Sequence, residues 1–155
     1  MVATTTAFSD LVNQLQNNFV DLKFALGSDF SWSADQKTVY YPRSTMQHAP
    51  QLLHEAAHGI LGHSTYSRDL DLLKLEREAW SKAIELSKQY NIVISEDTVE
   101  DALDTYRDWL HARSSCPNCG KTGVQASAKL YKCVICPQSW RANDARTCGL
   151  KRTKL

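Results

Sequence analysis

Between Leu52 and His63 the chain reads LLHEAAHGILGH, an apolar run interrupted by His54, Glu55, His58 and His63. Four residues separate His54 from His58, which on an α-helix is about 40° of rotation, so both imidazoles reach one metal ion. Glu55 stands beside the pair, where a carboxylate left unligated can accept a proton from a metal-polarised water as that water attacks a carbonyl. The competing reading is structural, with these residues as polar groups on an ordinary buried helix. Burying them unpaired would be costly, because the rest of the segment is Leu53, Ala56, Ala57, Ile60 and Leu61.

A catalytic zinc ion takes three protein ligands and keeps a fourth position open. His63 follows His58 by five residues; on a continued helix it would point about 180° away from His54. It is therefore read as a surface or supporting histidine just past the helix end. A better third ligand lies in LDLLKLEREAWSKAIELSKQY. On a wheel of 100° per residue, Leu72, Leu73, Ala79, Trp80 and Ala83 all fall within about 60° of Glu76, which is thus centred on the apolar face. Glu78 falls on the opposite, solvated side. A carboxylate on the inward face needs a cation, either an ion held by His54 and His58 or a buried Arg or Lys.

All five cysteines lie near the C-terminus, four of them in two C-x-x-C pairs, Cys116 with Cys119 and Cys133 with Cys136. This spacing predicts a zinc ribbon with four thiolate ligands rather than two disulfides. So short a segment has little core, and the metal would supply most of its folding energy. Cys148 is left over as a free thiol or an alternative ligand. Residues 114–155 also hold eight Lys/Arg against Asp144 alone, a surplus of seven, whereas the preceding residues carry ten basic and sixteen acidic side chains. The overall charge of +1 therefore hides a basic end and an acidic body, a split that suggests two units with different partners. Tyr131 and Trp140 among the cations could stack on bases, or could instead form the core of the ribbon.

The elements that must position these groups follow from periodicity. Phe8, Leu11, Val12, Leu15, Phe19, Leu22 and Leu26 form a helical stripe that Gly27 would stop. Phe30–Trp32 and Lys37–Tyr41 read as a hairpin around SADQ. Ser44–Gly62 reads as a second helix with Pro50 in its first turn, a third starts at Ser67 or Asp69 and runs to about Tyr90, and Ser95 caps a fourth. In that fourth helix Val99, Ala102, Leu103, Tyr106 and Leu110 make the buried stripe. No apolar run reaches the roughly 18 residues of a membrane span, and MVATTTAFSDLV lacks the basic start and apolar core of a secretory signal. The expected location is the cytoplasm, with no membrane partner.

HEAAHGILGH followed by EREAW resembles the gluzincin metallopeptidases, in particular the small ImmA/IrrE-type group, over residues 30–90. The resemblance implies a zincin-like α+β fold, His54, His58 and Glu76 as zinc ligands, and Glu55 as general base. It also implies that the strand at Thr38–Tyr41 offers its edge to an extended peptide. Where that group usually carries Asn or Asp after E-x-E-A, this chain has Trp80 and Ser81. SprT-like and Spartan-like proteases, a second resemblance, join an H-E-x-x-H helix to a zinc ribbon and act near DNA. Their third ligand is a downstream histidine, and between His63 and His111 this chain has none.

These observations predict a mainly helical α+β, zincin-like metallopeptidase domain with a small sheet over residues 1–113, and a zinc ribbon with a basic tail over 114–155. One catalytic zinc would sit at His54, His58 and Glu76, and one structural zinc at Cys116, Cys119, Cys133 and Cys136. The substrate would be a protein or peptide. Tyr40, Tyr41, Tyr66 and His63 are candidates to stabilise an oxyanion, and the sequence does not choose among them. The rival reading is a non-enzymatic nucleic-acid- or protein-binding adaptor that works through the basic ribbon.

Overall fold

The computed structural model describes residues 7–146 and 148–155 and has an α+β architecture with four helices and two small sheets. In chain order these are α1 (Phe8–Asn18), β1 (Lys23–Leu26), β2 (Ser31–Ser33), β3 (Thr38–Tyr41), α2 (Ala49–Ile60), α3 (Asp69–Gln89), α4 (Glu96–Ser114), β4 (Gly123–Ser127), β5 (Leu130–Cys133), β6 (Ser139–Ala142) and β7 (Arg152–Lys154). No helix among the described residues is long and apolar enough to cross a membrane. Two compact units emerge, one of residues 1–64 with 77–95, the other of 65–76 with 96–155. In it α4 and the start of α3 group with the cysteine-bearing sheet.

In the first unit the helix expected to run to Gly27 ends at Asn18; Leu22 lies in the turn that follows and Leu26 ends β1. Phe19 leaves helical geometry at φ −123°, and the Gln16 side chain then holds the chain as a strand. Its amide donates to the Leu22 carbonyl (2.7 Å) and its oxygen accepts from the Phe24 N–H (3.1 Å). The strand so formed, β1, pairs in parallel with β3, while β2 pairs antiparallel on the other side, giving the order β1-β3-β2. The β2–β3 hairpin is the one that the aromatic and β-branched pattern predicts.

Helix α2 lies against this sheet, and Gly59 permits the close approach. A Cβ there would stand 2.9 Å from the Trp32 ring and 3.0 Å from Leu22. Pro50 sits in the first turn, where its missing N–H costs no helical bond. The helix closes on Gly62 at φ +69°, a left-handed residue, with the His63 N–H donating to the His58 carbonyl at 2.9 Å. That bond is the long link of a Schellman cap, and it turns the chain back over the last helical turn. Along α3 the buried residues are Asp69, Leu72, Glu76, Ala79, Trp80, Ala83, Leu86 and Ser87, the face expected from the wheel.

In the second unit β4, β5, β6 and β7 form an antiparallel meander in sequence order. Its core is Cys116, Tyr131, Cys133, Trp140 and Ala142, with the Tyr131 and Trp140 rings stacked 5.7 Å apart at 11°. Arg113, at the end of α4, is only 3% exposed and is bound on every side. Its Nε donates to Asp69 (3.0 Å) and to the Tyr131 hydroxyl (3.0 Å), Nη2 donates to the Ala128 carbonyl (3.2 Å), and Nη1 donates to the Asn143 carbonyl. The Tyr131 hydroxyl in turn donates to Asp69, and burial, with that carboxylate beside it, pushes the phenol well above its usual range. This buried ion pair is why α4 and the first turn of α3 belong with the meander.

Removing one partner of such a pair strands the other charge. Arg113→Met is expected to lower stability by about 3–5 kcal/mol, read as an earlier urea midpoint, and adding Asp69→Asn should recover part of the loss. An unchanged midpoint would mean that this ion pair does not hold the unit together.

Candidate metal centres

Helix α2 presents His54 and His58 on one face, as their spacing requires, with Nε2 atoms 3.2 Å apart and rings nearly perpendicular at 80°. Glu76 of α3 completes the group: each of the three offers one ligand atom, and these atoms all lie within 4.8 Å of one another. All three are buried, at 7%, 8% and 5% exposure. Two nitrogens at about 2.0–2.1 Å from one tetrahedral ion stand roughly 3.3–3.4 Å apart. The His54–His58 spacing fits that requirement. Glu55, half-buried on the same helix, lies outside the ligand group.

The surroundings of the histidines supply what the sequence reading missed. Trp80 stacks on His54 with centroids 4.3 Å apart at 22°, fixing the plane of that imidazole. His63 is buried, and its Nδ1 lies 2.9 Å from Nδ1 of His58. Its other nitrogen, Nε2, lies 3.2 Å from Oε2 of Glu78. The extrapolated helix had sent His63 to the far side; the left-handed Gly62 reverses the chain and brings it back. Glu78, expected to be ordinary helix surface, is 46% exposed yet reaches His63. The Gly following HGIL was the signal that could have shown this, since a Schellman cap folds its last residue onto the final turn.

The four cysteines also converge. Cys116 and Cys136 sulfurs are 3.7 Å apart and Cys119 and Cys133 sulfurs 3.5 Å, close to the roughly 3.8 Å expected for thiolates about 2.3 Å from one tetrahedral ion. Main-chain donors point at them: the N–H groups of Cys136 and Ile135 both lie 3.4 Å from Cys133 Sγ, and that of Asn118 lies 3.4 Å from Cys116 Sγ. The Cys136 and Ile135 donors pull the Cys133 thiol down to about 6, so it favours the thiolate a metal needs. Cys148 is exposed and stands outside the group.

Two expectations about partners need correction. The strand Thr38–Tyr41 was to offer its edge to a peptide, but β3 is the central strand and is hydrogen-bonded on both sides; the free edges belong to β1 and β2. Of the two readings of Tyr131 and Trp140, base-stacking surface or core, the stacking one falls: at 2% and 0% exposure they are core residues. Among the oxyanion candidates, the Tyr40 hydroxyl bonds to the Gln36 side chain and the Tyr41 ring packs on Phe8 at 6.0 Å. Tyr66 is 43% exposed, and His63 is engaged with His58 and Glu78.

Both groups thus have the donor types and spacing to hold a metal ion, and elemental analysis of the full-length chain is expected to give about two ions per chain. Cys133→Ser with Cys136→Ser should remove one, and His54→Ala with His58→Ala should remove the other. Histidine variants that keep both ions would exclude the α2 site. Comparison of the chain with known protein families, with curated proteins and with solved structures finds no match.

Proposed function

We propose that the chain is a zinc metallopeptidase of gluzincin type on a zincin-like fold, in which His54, His58 and Glu76 hold a catalytic zinc. The observation that carries this reading is the gathering of two H-E-x-x-H histidines and a buried carboxylate from a second helix into one group of ligand atoms. Zinc bound there would supply a Lewis acid for a peptide carbonyl and acidify a water molecule. Glu55, half-buried and outside the ligand group, would accept a proton from such a water and pass it to the leaving amine. Trp80 and His63 hold the two imidazoles in place while this happens. An extended substrate adds to the free edge of β2, beside the strand on which α2 lies, with main-chain hydrogen bonds giving affinity. Four thiolate ligands in the ribbon suit a second, structural zinc and a reducing compartment such as the cytoplasm.

Loss of the proton carrier without loss of the metal separates this reading from a purely structural site. Glu55→Gln is expected to keep its zinc and to lose about 10²–10⁴-fold in cleavage of a mixed fluorogenic peptide library. Equal cleavage by the variant and the parent would overturn the peptidase reading.

A second reading concerns the ribbon, which also serves the adaptor alternative. On the face of the meander opposite Tyr131 and Trp140, Lys132 and Arg141 are exposed on adjacent strands, with exposed Val124 and Thr153 beside them. With its aromatics inside, this face would meet nucleic acid through phosphates alone, so binding would be weakly selective for sequence and strongly salt-dependent. Lys132→Glu with Arg141→Glu should weaken binding of the full chain to a DNA oligonucleotide and lower the slope of log K against log salt by about 2. An unchanged slope would remove this face from the contact.

A further inference from the structure

We propose that His63 and Glu78 are positioning residues that fix the tautomer of His58 and thereby present its Nε2 to the metal. The inference rests on the metal-centre reading above and extends it to two side chains outside the ligand set.

The hydrogen-bond bookkeeping runs in one direction. A contact of 2.9 Å between Nδ1 of His58 and Nδ1 of His63 needs one nitrogen as donor and the other as acceptor. For His58 to offer a lone pair from Nε2, the atom that faces His54 Nε2 at 3.2 Å, its proton must sit on Nδ1. His63 Nδ1 is then the acceptor, so the His63 proton sits on Nε2, 3.2 Å from the Glu78 carboxylate. A carboxylate only accepts, so with a neutral His63 it closes the chain in that sense. With a donor in place of the carboxylate, the order would reverse. His63 would donate from Nδ1, and the His58 proton would be forced onto Nε2, where the metal has to bind.

The backbone keeps His63 in place for this role. Its N–H is bonded to the His58 carbonyl through the Gly62 cap, and its carbonyl accepts from the Trp32 indole at 2.8 Å. The imidazole is thus anchored to α2 and to the sheet before its side chain makes any contact. Both rings are 8% exposed, whereas Glu78 is 46% exposed, so the carboxylate end touches water and tolerates substitution.

Glu78→Gln provides the test, because the amide can turn its NH₂ toward His63 and reverse the chain at almost unchanged size. In the full-length protein, zinc competition against a chromophoric chelator should show affinity at the histidine site falling about 10–100-fold, with the cysteine site of the same molecule unmoved. Glu78→Asp should recover part of the affinity. A second measurement needs no variant: in the zinc-loaded protein, nitrogen-15 spectra of the histidines should report His58 protonated on Nδ1 and His63 on Nε2. Unchanged zinc affinity in Glu78→Gln, or His63 protonated on Nδ1, would overturn the positioning role while leaving the metal site standing. A parent protein that takes zinc only at its cysteines would overturn the metal-centre reading itself.

Discussion

A histidine pair is buried on α2, and the organisation of the first unit around it answers to the cost of burying it. His54, His58 and Glu76 are each less than a tenth exposed, in helices whose inward faces are otherwise leucine, alanine and tryptophan. Polar groups in such a place are tolerated when they are paired, and a cation shared by all three is the arrangement that their atoms fit. The close seating of α2 through Gly59 follows the same logic, because a helix held at that distance from Trp32 and Leu22 cannot turn its histidines elsewhere. Trp80 on one imidazole and His63 on the other then leave both rings without rotational freedom.

The two ligand sets are built for different chemistry. Four sulfurs from two tight turns close a tetrahedron and leave nothing for a substrate, which is how metals serve folding. Two imidazoles and a carboxylate would leave one position of a tetrahedral ion open, and Glu55, on the same helix as the two histidines, stands outside that ligand group. The ribbon supports its sulfurs mainly with main-chain N–H groups, joined by the Asn118 side-chain amide 3.8 Å from Cys136 Sγ, which fits a segment with a small core. The histidine site is supported by side chains drawn from β2, from the turn after α2 and from α3. One centre can therefore be assembled by a short stretch of chain, whereas the other requires much of its unit to be in place.

Legibility in the sequence followed the range of the interactions. The spacing of His54 and His58, the apolar wheel around Glu76, the paired cysteines and the β2–β3 hairpin are local patterns, and the structure reproduces each. The end of α1 was not legible, because Leu22 and Leu26 keep helical spacing by coincidence and the side chain of Gln16 decides the matter. His63 was misplaced because one left-handed residue undoes any extrapolated wheel. The buried ion pair of Arg113 had no local signal, because its partner Asp69 lies 44 residues away. The β3 edge was lost to β1, an element that the periodicity had assigned to a helix.

The interior of the ribbon has a consequence for how such a chain changes over time. Its shape is maintained by four sulfurs, by two rings stacked on each other and by one buried arginine, all on the inner side of the meander or at its base. Val124, Lys132, Arg141 and Thr153 on the outer side contribute little to that maintenance. Mutations there meet little folding constraint, so successive substitutions can change the charge and shape of this surface while every intermediate sequence still folds.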